Sequence, residues 1–192
     1  QMIYDPIDSN IFYCETQNGN LYAFDEGSGF INYDFDDGVG FSRNWDMPFI
    51  MSRFNRKKLY CLSDRINQTT NGPYGTFNPI HFSTLTRGLS TASNSHGSAL
   101  CESKLDSTLL YAGTGDGKVW RVNTRTITET DISAGLPNRH VTSLTTSAID
   151  PCLVVVTHSG YLDFQTIPHI SLSTDSGSRW TPITGDLPSF AL

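Results

Sequence analysis

Positive charge is scarce in this sequence. Its 192 residues include 13 Lys and Arg against 19 Asp and Glu, which gives a net charge of −6 at pH 7. The longest basic run is Arg56-Lys57-Lys58. Because binding to nucleic acid depends on basic side chains that neutralise phosphates, we expect no nucleic-acid partner.

Long apolar runs and common catalytic motifs are also missing. No stretch approaches the roughly 18 consecutive apolar residues that a membrane helix needs, so we expect no membrane span. The sequence has no G-x-S-x-G, no H-E-x-x-H and no phosphate-binding glycine loop. It therefore lacks the usual parts of a serine hydrolase, a metalloprotease or a nucleotide site, and we expect no cofactor.

Cysteine is sparse and widely spaced, at Cys14, Cys61, Cys101 and Cys152. No C-x-x-C pair or nearby histidine offers the spacing of a zinc site. Cys14 and Cys61 each follow a tyrosine in an apolar run, which predicts small buried thiols that fill a core. The even number of cysteines leaves disulfides open as the alternative.

Three segments align without a gap on a shared tyrosine. They are DPIDSNIFYC, SRFNRKKLYC and SKLDSTLLYA, anchored on Tyr13, Tyr60 and Tyr111, and each has Asp5, Ser52 or Ser103 eight residues before its anchor. A fourth, degenerate copy, SAIDPCLVVVTHSG, places Val155 near the anchor position. We expect this copy to have lost about three residues before its valine-rich strand.

Two dipeptides inside these repeats predict β-hairpins. Asn18-Gly19 and Asp116-Gly117 place their glycine six residues after the anchor tyrosine. Such pairs favour type I′ turns between antiparallel strands. In the first repeat the strands are MIYD, IFYCETQ, NLYAFD and FINYDF.

Repeats of about 45 residues with four short strands are typical of β-propeller blades. We therefore predict an all-β fold of about four blades, each of four antiparallel strands, with no helix. The approximate blade ranges are 1–45, 46–93, 94–138 and 139–190 of a single propeller segment. Residues 67–79 are predicted to be a loop inserted in the second blade, and Asn67-Gln68-Thr69 within it is an N-glycosylation sequon.

The segment STDSGSRW has the pattern of an Asp box, with Ser173, Asp175, Gly177 and Trp180 at its fixed positions. A worn copy in the first repeat has Asp25, Gly27 and Phe30. On these residues, and on the stretches SRNWDMPFIMSRFNRKKLYC and GLPNRHVTSLTTSAIDP, the sequence resembles the Asp-box (BNR-repeat) β-propellers. That superfamily includes sialidases, sortilin-like receptor ectodomains and xyloglucan-cleaving endoglucanases. In the box, Asp can accept turn amides, Gly can adopt positive φ and Trp can pack between strands.

The resemblance implies more than the fold. Rings of this superfamily have six to eight blades, so about four blades predict an incomplete ring whose other blades come from the same or another chain. A closed four-bladed ring is the alternative. The resemblance also implies a secreted or cell-surface protein, with the Asp boxes on the outer edge of the blades and away from ligands.

Loops that lead into the first strand of each blade converge on one face of a propeller. At these junctions we predict protein- or carbohydrate-binding residues, with aromatic stacking by Trp45. The alternative is that Trp45 packs between blades and the other residues form a solvated rim. The predicted ligand-binding residues are Arg43, Asn44, Trp45, Asp46, His96, Asn138, Arg139 and His140.

Two functions remain. The first is a non-catalytic extracellular binding or scaffolding segment, and the second is part of a xyloglucanase-like glycoside hydrolase. Hydrolysis needs two carboxyl groups about 5 to 10 Å apart, whereas Asp46 is the only acid at a converging junction of the first three repeats. The DFDDG segment, with Asp34, Asp36 and Asp37, lacks the later ligands of a calcium loop, so we interpret it as a solvated strand end and expect no metal.

Overall fold

The computed structural model describes residues 1–27, 29–35, 42–69, 80–93, 95–160 and 169–187. These residues form sixteen strands in four consecutive groups, which we call blades 1 to 4. Blade 1 contains β1 (Met2–Tyr4), β2 (Ile11–Thr16), β3 (Asn20–Asp25) and β4 (Gly29–Phe35). Blade 2 contains β5 (Phe49–Met51), β6 (Leu59–Leu62), β7 (Ile66–Thr69) and β8 (Ile80–Thr84). Blade 3 contains β9 (Gly97–Glu102), β10 (Leu109–Thr114), β11 (Val119–Asn123) and β12 (Thr128–Asp131). Blade 4 contains β13 (Val141–Thr146), β14 (Val154–His158), β15 (His169–Ser173) and β16 (Thr181–Pro182).

Within each blade the four strands pair antiparallel in chain order. The last strands of blades 1 and 2 also pair with each other in parallel, from Tyr33 opposite Ile80 to Phe35 opposite Phe82. First strands of neighbouring blades are in contact, with β9 against β5 and β13. In the described residues the only helical segment is a 3₁₀ turn at Gln17–Gly19. The prediction of an all-β propeller segment is confirmed.

One turn recurs between the first and second strands of every blade. The side chains of Asp5, Ser52, Ser103 and Ser147 each accept an amide two residues ahead, at 2.9, 3.3, 3.3 and 3.1 Å. Such local bonds satisfy amides that the ladder leaves without partners. The Ser147 amide bonds the Leu153 carbonyl with the same six-residue spacing as Ser103 and Leu109. The predicted loss of three residues in the fourth repeat is therefore wrong.

The two predicted hairpins differ in their backbone. Asn18 and Gly19 both adopt positive φ, 64° and 70°, as the Asn-Gly pattern predicts. In the second hairpin only Gly117 does, at 84°, and its amide bonds the Thr114 carbonyl at 3.1 Å. This geometry is a type I turn closed by a bulged glycine, so the type I′ prediction is wrong at Asp116-Gly117.

The core lies between the blades. In the described residues the buried apolar side chains form three clusters, one at each boundary between consecutive blades. Each anchor tyrosine (Tyr13, Tyr60 or Tyr111) belongs to the cluster that its blade shares with the following blade. The residue one position earlier lies on the other face, so Leu59 and Leu110 belong to the clusters shared with the preceding blade. Because side chains alternate along a strand, blades 2 and 3 are apolar on both faces, and each packs between two neighbours.

All four cysteines lie in the described ranges and are free thiols. Cys61 is fully buried, as predicted, and belongs to the cluster between blades 1 and 2. Cys14 is only half-buried. It follows Tyr13 in β2 and therefore lies on the opposite face of blade 1, so the prediction that it fills a core is wrong.

The predicted loop of the second blade begins later than expected. Residues 67–69 belong to β7, and Asn67 is fully buried with its Nδ2 3.3 Å from Ser63 Oγ. The sequon amide therefore lies inside the fold, and the loop prediction is wrong for these three residues. Residues 70–79, and Asp36 and Asp37 of the DFDDG segment, lie outside the described residues. Across the described ranges, no helical segment has the length and apolarity that a membrane crossing requires.

Candidate functional site

The loops that enter the first strands of blades 2, 3 and 4 lie at one end of the blades, beside the hairpins that join second and third strands. The Asn18 amide bonds the Trp45 carbonyl at 3.1 Å. The His96 and His140 carbonyls accept amides from Gly115 and Ser159, both at 2.9 Å. We call this end of the molecule, formed by residues 42–48, 95–96 and 137–140 with the adjoining hairpins, the junction face.

Two of the predicted junctions are joined directly. Ser42 Oγ lies 2.9 Å from His96 Nδ1, and Asn44 Nδ2 donates to the Gly97 carbonyl at 3.3 Å. Gly115 lies between the second and third junctions, since a side chain there would meet Ser95 Oγ and His140 Nδ1. Predicted residues from three loops, Asn44, His96 and His140, are thus neighbours on the junction face.

Trp45 and Asp46 line a groove of about 560 Å³ that Gln1, Glu15, Thr16 and Gln17 complete. The Trp45 side chain is 61% exposed. Its indole is accessible at the surface of the groove. Arg43 turns instead toward the hairpin of blade 1, where its stem packs against Gly19.

Glu15 gives this groove a second carboxyl group that the sequence did not reveal. Its Oε1 accepts the Met47 amide at 2.7 Å, and the Asp46 carboxyl group lies close enough to influence it. Burial, together with the neighbouring Asp46 charge, raises the pKa of Glu15 to about 7. Near neutral pH the Glu15 carboxyl group is therefore partly protonated. Glu15 is a strand residue distant from Asp46 in sequence, and no motif links them.

Asp116 organises the loop between blades 2 and 3. Its carboxylate accepts the Thr91 amide and hydroxyl, both at 2.8 Å, the Ala92 amide at 3.0 Å and the Thr114 hydroxyl. Burial opposes ionisation, but these hydrogen bonds outweigh it and lower the pKa of Asp116 to about 2. The carboxylate is a positioning group for the segment that precedes His96.

Three histidines meet at the junction end of blade 4. His158 is 1% exposed, and neither ring nitrogen has a hydrogen-bond partner in the described structure. Its strand partner is His169, and His140 lies nearby. Burial, with the influence of these two histidines, lowers the pKa of His158 to about 4, so the ring is neutral. Over the described residues, no group of three His, Cys, Asp or Glu side chains is arranged to hold a metal ion.

The Ser173–Trp180 turn fastens blade 4 to blade 3. Ser173 Oγ accepts the Gly177 amide at 2.8 Å, and Asp175 Oδ1 accepts the Arg179 amide at the same distance, a bond that lowers the pKa of Asp175. Gly177 has φ of 90°. Trp180 Nε1 donates to the Ile132 carbonyl at 2.7 Å, just beyond β12. These groups hold the fold together.

The corresponding turn of blade 1 is simpler. Asp25 Oδ1 accepts the Gly27 amide at 2.9 Å, and Phe30 lies in β4 opposite Phe24. Asp25 thus serves its own turn, as Asp175 does in blade 4.

Comparison with known proteins identifies the fold. No protein-family model and no curated protein matches the chain. Among solved structures, the Niastella koreensis GH74 enzyme is similar, with a TM-score of 0.67 and 17% identity over 94% of this chain and 28% of that one. The GH74 xyloglucanase from Xanthomonas campestris gives a TM-score of 0.65 and 16% identity over 98% of this chain and 30% of that one. The β-propeller domain of Cps50 (Swd1) from Myceliophteria thermophila gives 0.52 and 11% identity over 85% of this chain and 49% of that one. The chain is a β-propeller segment that spans less than a third of the length of these GH74 structures.

Proposed function

We propose that this chain is a non-catalytic binding or scaffolding segment of a larger propeller protein that is secreted or displayed at the cell surface. The observation that supports this proposal is the groove at Trp45. An exposed indole offers a flat apolar surface for a sugar ring or a protein side chain. Glu15 and Asp46 lie beside it, and Glu15, with its raised pKa, can donate as well as accept a hydrogen bond when it is protonated. We infer a carbohydrate or protein ligand that lies across Trp45.

A glycoside hydrolase is the second candidate, because two of the similar structures are GH74 proteins and one is named a xyloglucanase. The acids of this groove argue against it. Glu15 and Asp46 are close neighbours, and Glu15 Oε1 is already bound by the Met47 amide at 2.7 Å, whereas the acid and the nucleophile or base of a glycosidase stand apart with the substrate between them. We therefore favour binding without turnover.

Binding is tested on a glycan array and by titration with xyloglucan and mixed-linkage β-glucan oligosaccharides. We expect Trp45→Ala to weaken binding at least tenfold. Phe54→Ala is the matched control, since Phe54 is 50% exposed in the turn between β5 and β6, away from the groove. Equal effects of the two substitutions would contradict a ligand site at Trp45.

Turnover is tested separately by release of reducing ends from the same polysaccharides. We expect none from the wild-type chain. Release that Asp46→Asn abolishes would overturn the non-catalytic proposal in favour of the hydrolase.

A further inference from the structure

Blade 1 carries an aromatic row on the face turned away from blade 2. Tyr4, Phe12 and Phe24 are consecutive register partners across β1, β2 and β3. The rings of Tyr4 and Phe12 are 5.8 Å apart, and those of Phe12 and Phe24 are stacked at 4.9 Å. Met2 and Tyr4 on the same face are 54% and 57% exposed. We call this surface, formed by Met2, Tyr4, Phe12, Cys14 and Phe24, the outer face of blade 1.

The repeat register shows what such a face does elsewhere in the molecule. Counted from the anchor tyrosines, Phe12 corresponds to Leu59 and Leu110, and Cys14 to Cys61 and Ala112. All four of these counterparts are at most 2% exposed and lie in clusters shared with the preceding blade. Phe12 and Cys14 are half-buried. Exposed contiguous aromatic surface is uncommon outside interaction sites.

From this correspondence we propose that the outer face of blade 1 is the docking surface for another propeller blade of the same polypeptide. The occupant is a sheet that presents an anchor tyrosine among aliphatic side chains, as the faces of Tyr13, Tyr60 and Tyr111 do. Length agrees, since the chain covers only 28% and 30% of two GH74 structures with the same fold. The inference rests on the proposed larger propeller but on no ligand.

A second copy of this chain is a poorer occupant. The face that its blade 4 turns away from blade 3 has Val155 at the anchor position, with Thr145 and Leu172 as register partners. Thr145 is exposed, and the face lacks the tyrosine that fills the other boundaries. Docking of blade 4 from a second copy would therefore leave the aromatic row of blade 1 without an anchor tyrosine opposite it.

Labelling of Cys14 with a maleimide tests the proposal, because the thiol lies on the proposed surface. The complete gene product is compared with this 192-residue chain, with exposed Cys152 and buried Cys61 as internal controls. We expect Cys14 to react at least tenfold more slowly in the complete product, while Cys152 reacts at the same rate in both. Equal Cys14 rates, or a gene that encodes no further blade, would overturn the proposal. Protection of Cys14 that appears only as this chain dimerises would also overturn it, in favour of a second copy.

A variant pair gives an independent reading. In this chain we expect Phe12→Ser to lower the melting temperature by less than half as much as Leu110→Ser does at the equivalent buried position. In the complete product the two losses should become similar. A Phe12→Ser loss that is unchanged between the two proteins would contradict a covered face. The labelling and melting experiments test the outer face of blade 1, whereas the glycan assays test the Trp45 groove. The docking proposal and the ligand-binding proposal can therefore fail independently.

Discussion

Single side chains close the same turn in all four repeats. A carboxylate in blade 1 and hydroxyls in blades 2, 3 and 4 accept the amides of the segment between the first and second strands. An acceptor oxygen closes the turn in every blade, and the Asp5 carboxylate in addition pairs with Arg56 at 3.1 Å, which a serine hydroxyl cannot do. The bonds join residues two apart, but the sequence alignment located them correctly in the first three repeats only.

Comparison of Gly117 with Gly135 distinguishes two costs of adding a side chain, which are backbone strain at positive φ and steric overlap with neighbouring atoms. Gly117 has φ of 84°, and a Cβ there would collide with the backbone of Asn138 and Arg139. Gly135 has φ of 87° with nothing within 4 Å of such an atom. We expect Gly135→Ala to cost about 1 kcal/mol of unfolding free energy, from strain alone. We expect Gly117→Ala to cost about 3 kcal/mol, from strain and overlap together. Urea unfolding measures both, and equal losses would contradict the packing of this hairpin on the third junction.

At the scale of elements, a strand end in one blade is tied to a loop in the next. Glu102 at the end of β9 accepts the Ser52 hydroxyl at 2.8 Å and the Arg53 amide at 2.7 Å, both beyond β5 of blade 2. Glu102 is 6% exposed, and burial raises its pKa. A polar bond thus supplements the apolar cluster between blades 2 and 3.

We expect Glu102→Ala to lower the unfolding free energy by about 2 kcal/mol, because it leaves the Arg53 amide without its acceptor. The control is Lys118→Met, which removes an ion pair to Asp131 whose two side chains are 31% and 39% exposed. That change should cost less than about 1 kcal/mol. Urea unfolding of both variants at one pH is the measurement, and a Glu102→Ala loss no larger than the control would show that the bond is not stabilising.

At the scale of the whole molecule, stability resides in the boundaries between blades. Each of the three apolar clusters joins consecutive blades. Such an arrangement makes stability nearly a sum of neighbour interfaces, as in other repeat proteins. Buried ionisable groups then make that sum depend on pH.

Glu15 should destabilise the chain as pH rises. Its pKa is raised from 4.5 to about 7, so between these values the folded chain holds a proton that the unfolded chain has released. Unfolding free energy should therefore fall as pH rises from 5 to 8. Urea unfolding across that range should show a steeper fall for the wild type than for Glu15→Gln. Parallel curves would mean that the carboxyl is not held protonated.

His158 should destabilise the chain in acid. Its pKa is lowered from 6.5 to about 4, so in that range the unfolded chain takes up a proton that the folded chain does not. The expected loss between pH 6.5 and 4 is on the order of 3 kcal/mol. His158→Gln should reduce the fall in unfolding free energy between pH 6.5 and pH 4. His96→Gln is the control and should not reduce it, because the buried His158 ring stays in place. A fall that His158→Gln leaves unchanged would contradict the burial of a neutral imidazole.

By itself the sequence determined the strands, the turns and the division into repeats. Alternation along IFYCET, the Asn-Gly pair and the turn-closing Asp5 act within a few residues of one another, so they do not depend on the rest of the chain. It also placed Trp45 and His96 in loops at a shared end of the blades. One error was local, since the fourth repeat has lost no residues before its strand. The errors at Asp116, Asn67 and Cys14 are at positions where a distant segment determines the outcome.

Only the tertiary structure decided which groups face one another. Glu15 meets Asp46, Glu102 meets Ser52, and His158 is buried because blades approach across spans that no local pattern encodes. The two cysteines that follow an anchor tyrosine show the physical reason: Cys61 has a blade packed over it, whereas Cys14 is only half-buried on the outer face of blade 1. Burial, and with it pKa and reactivity, depends on the neighbour that covers a face and not on the residue type.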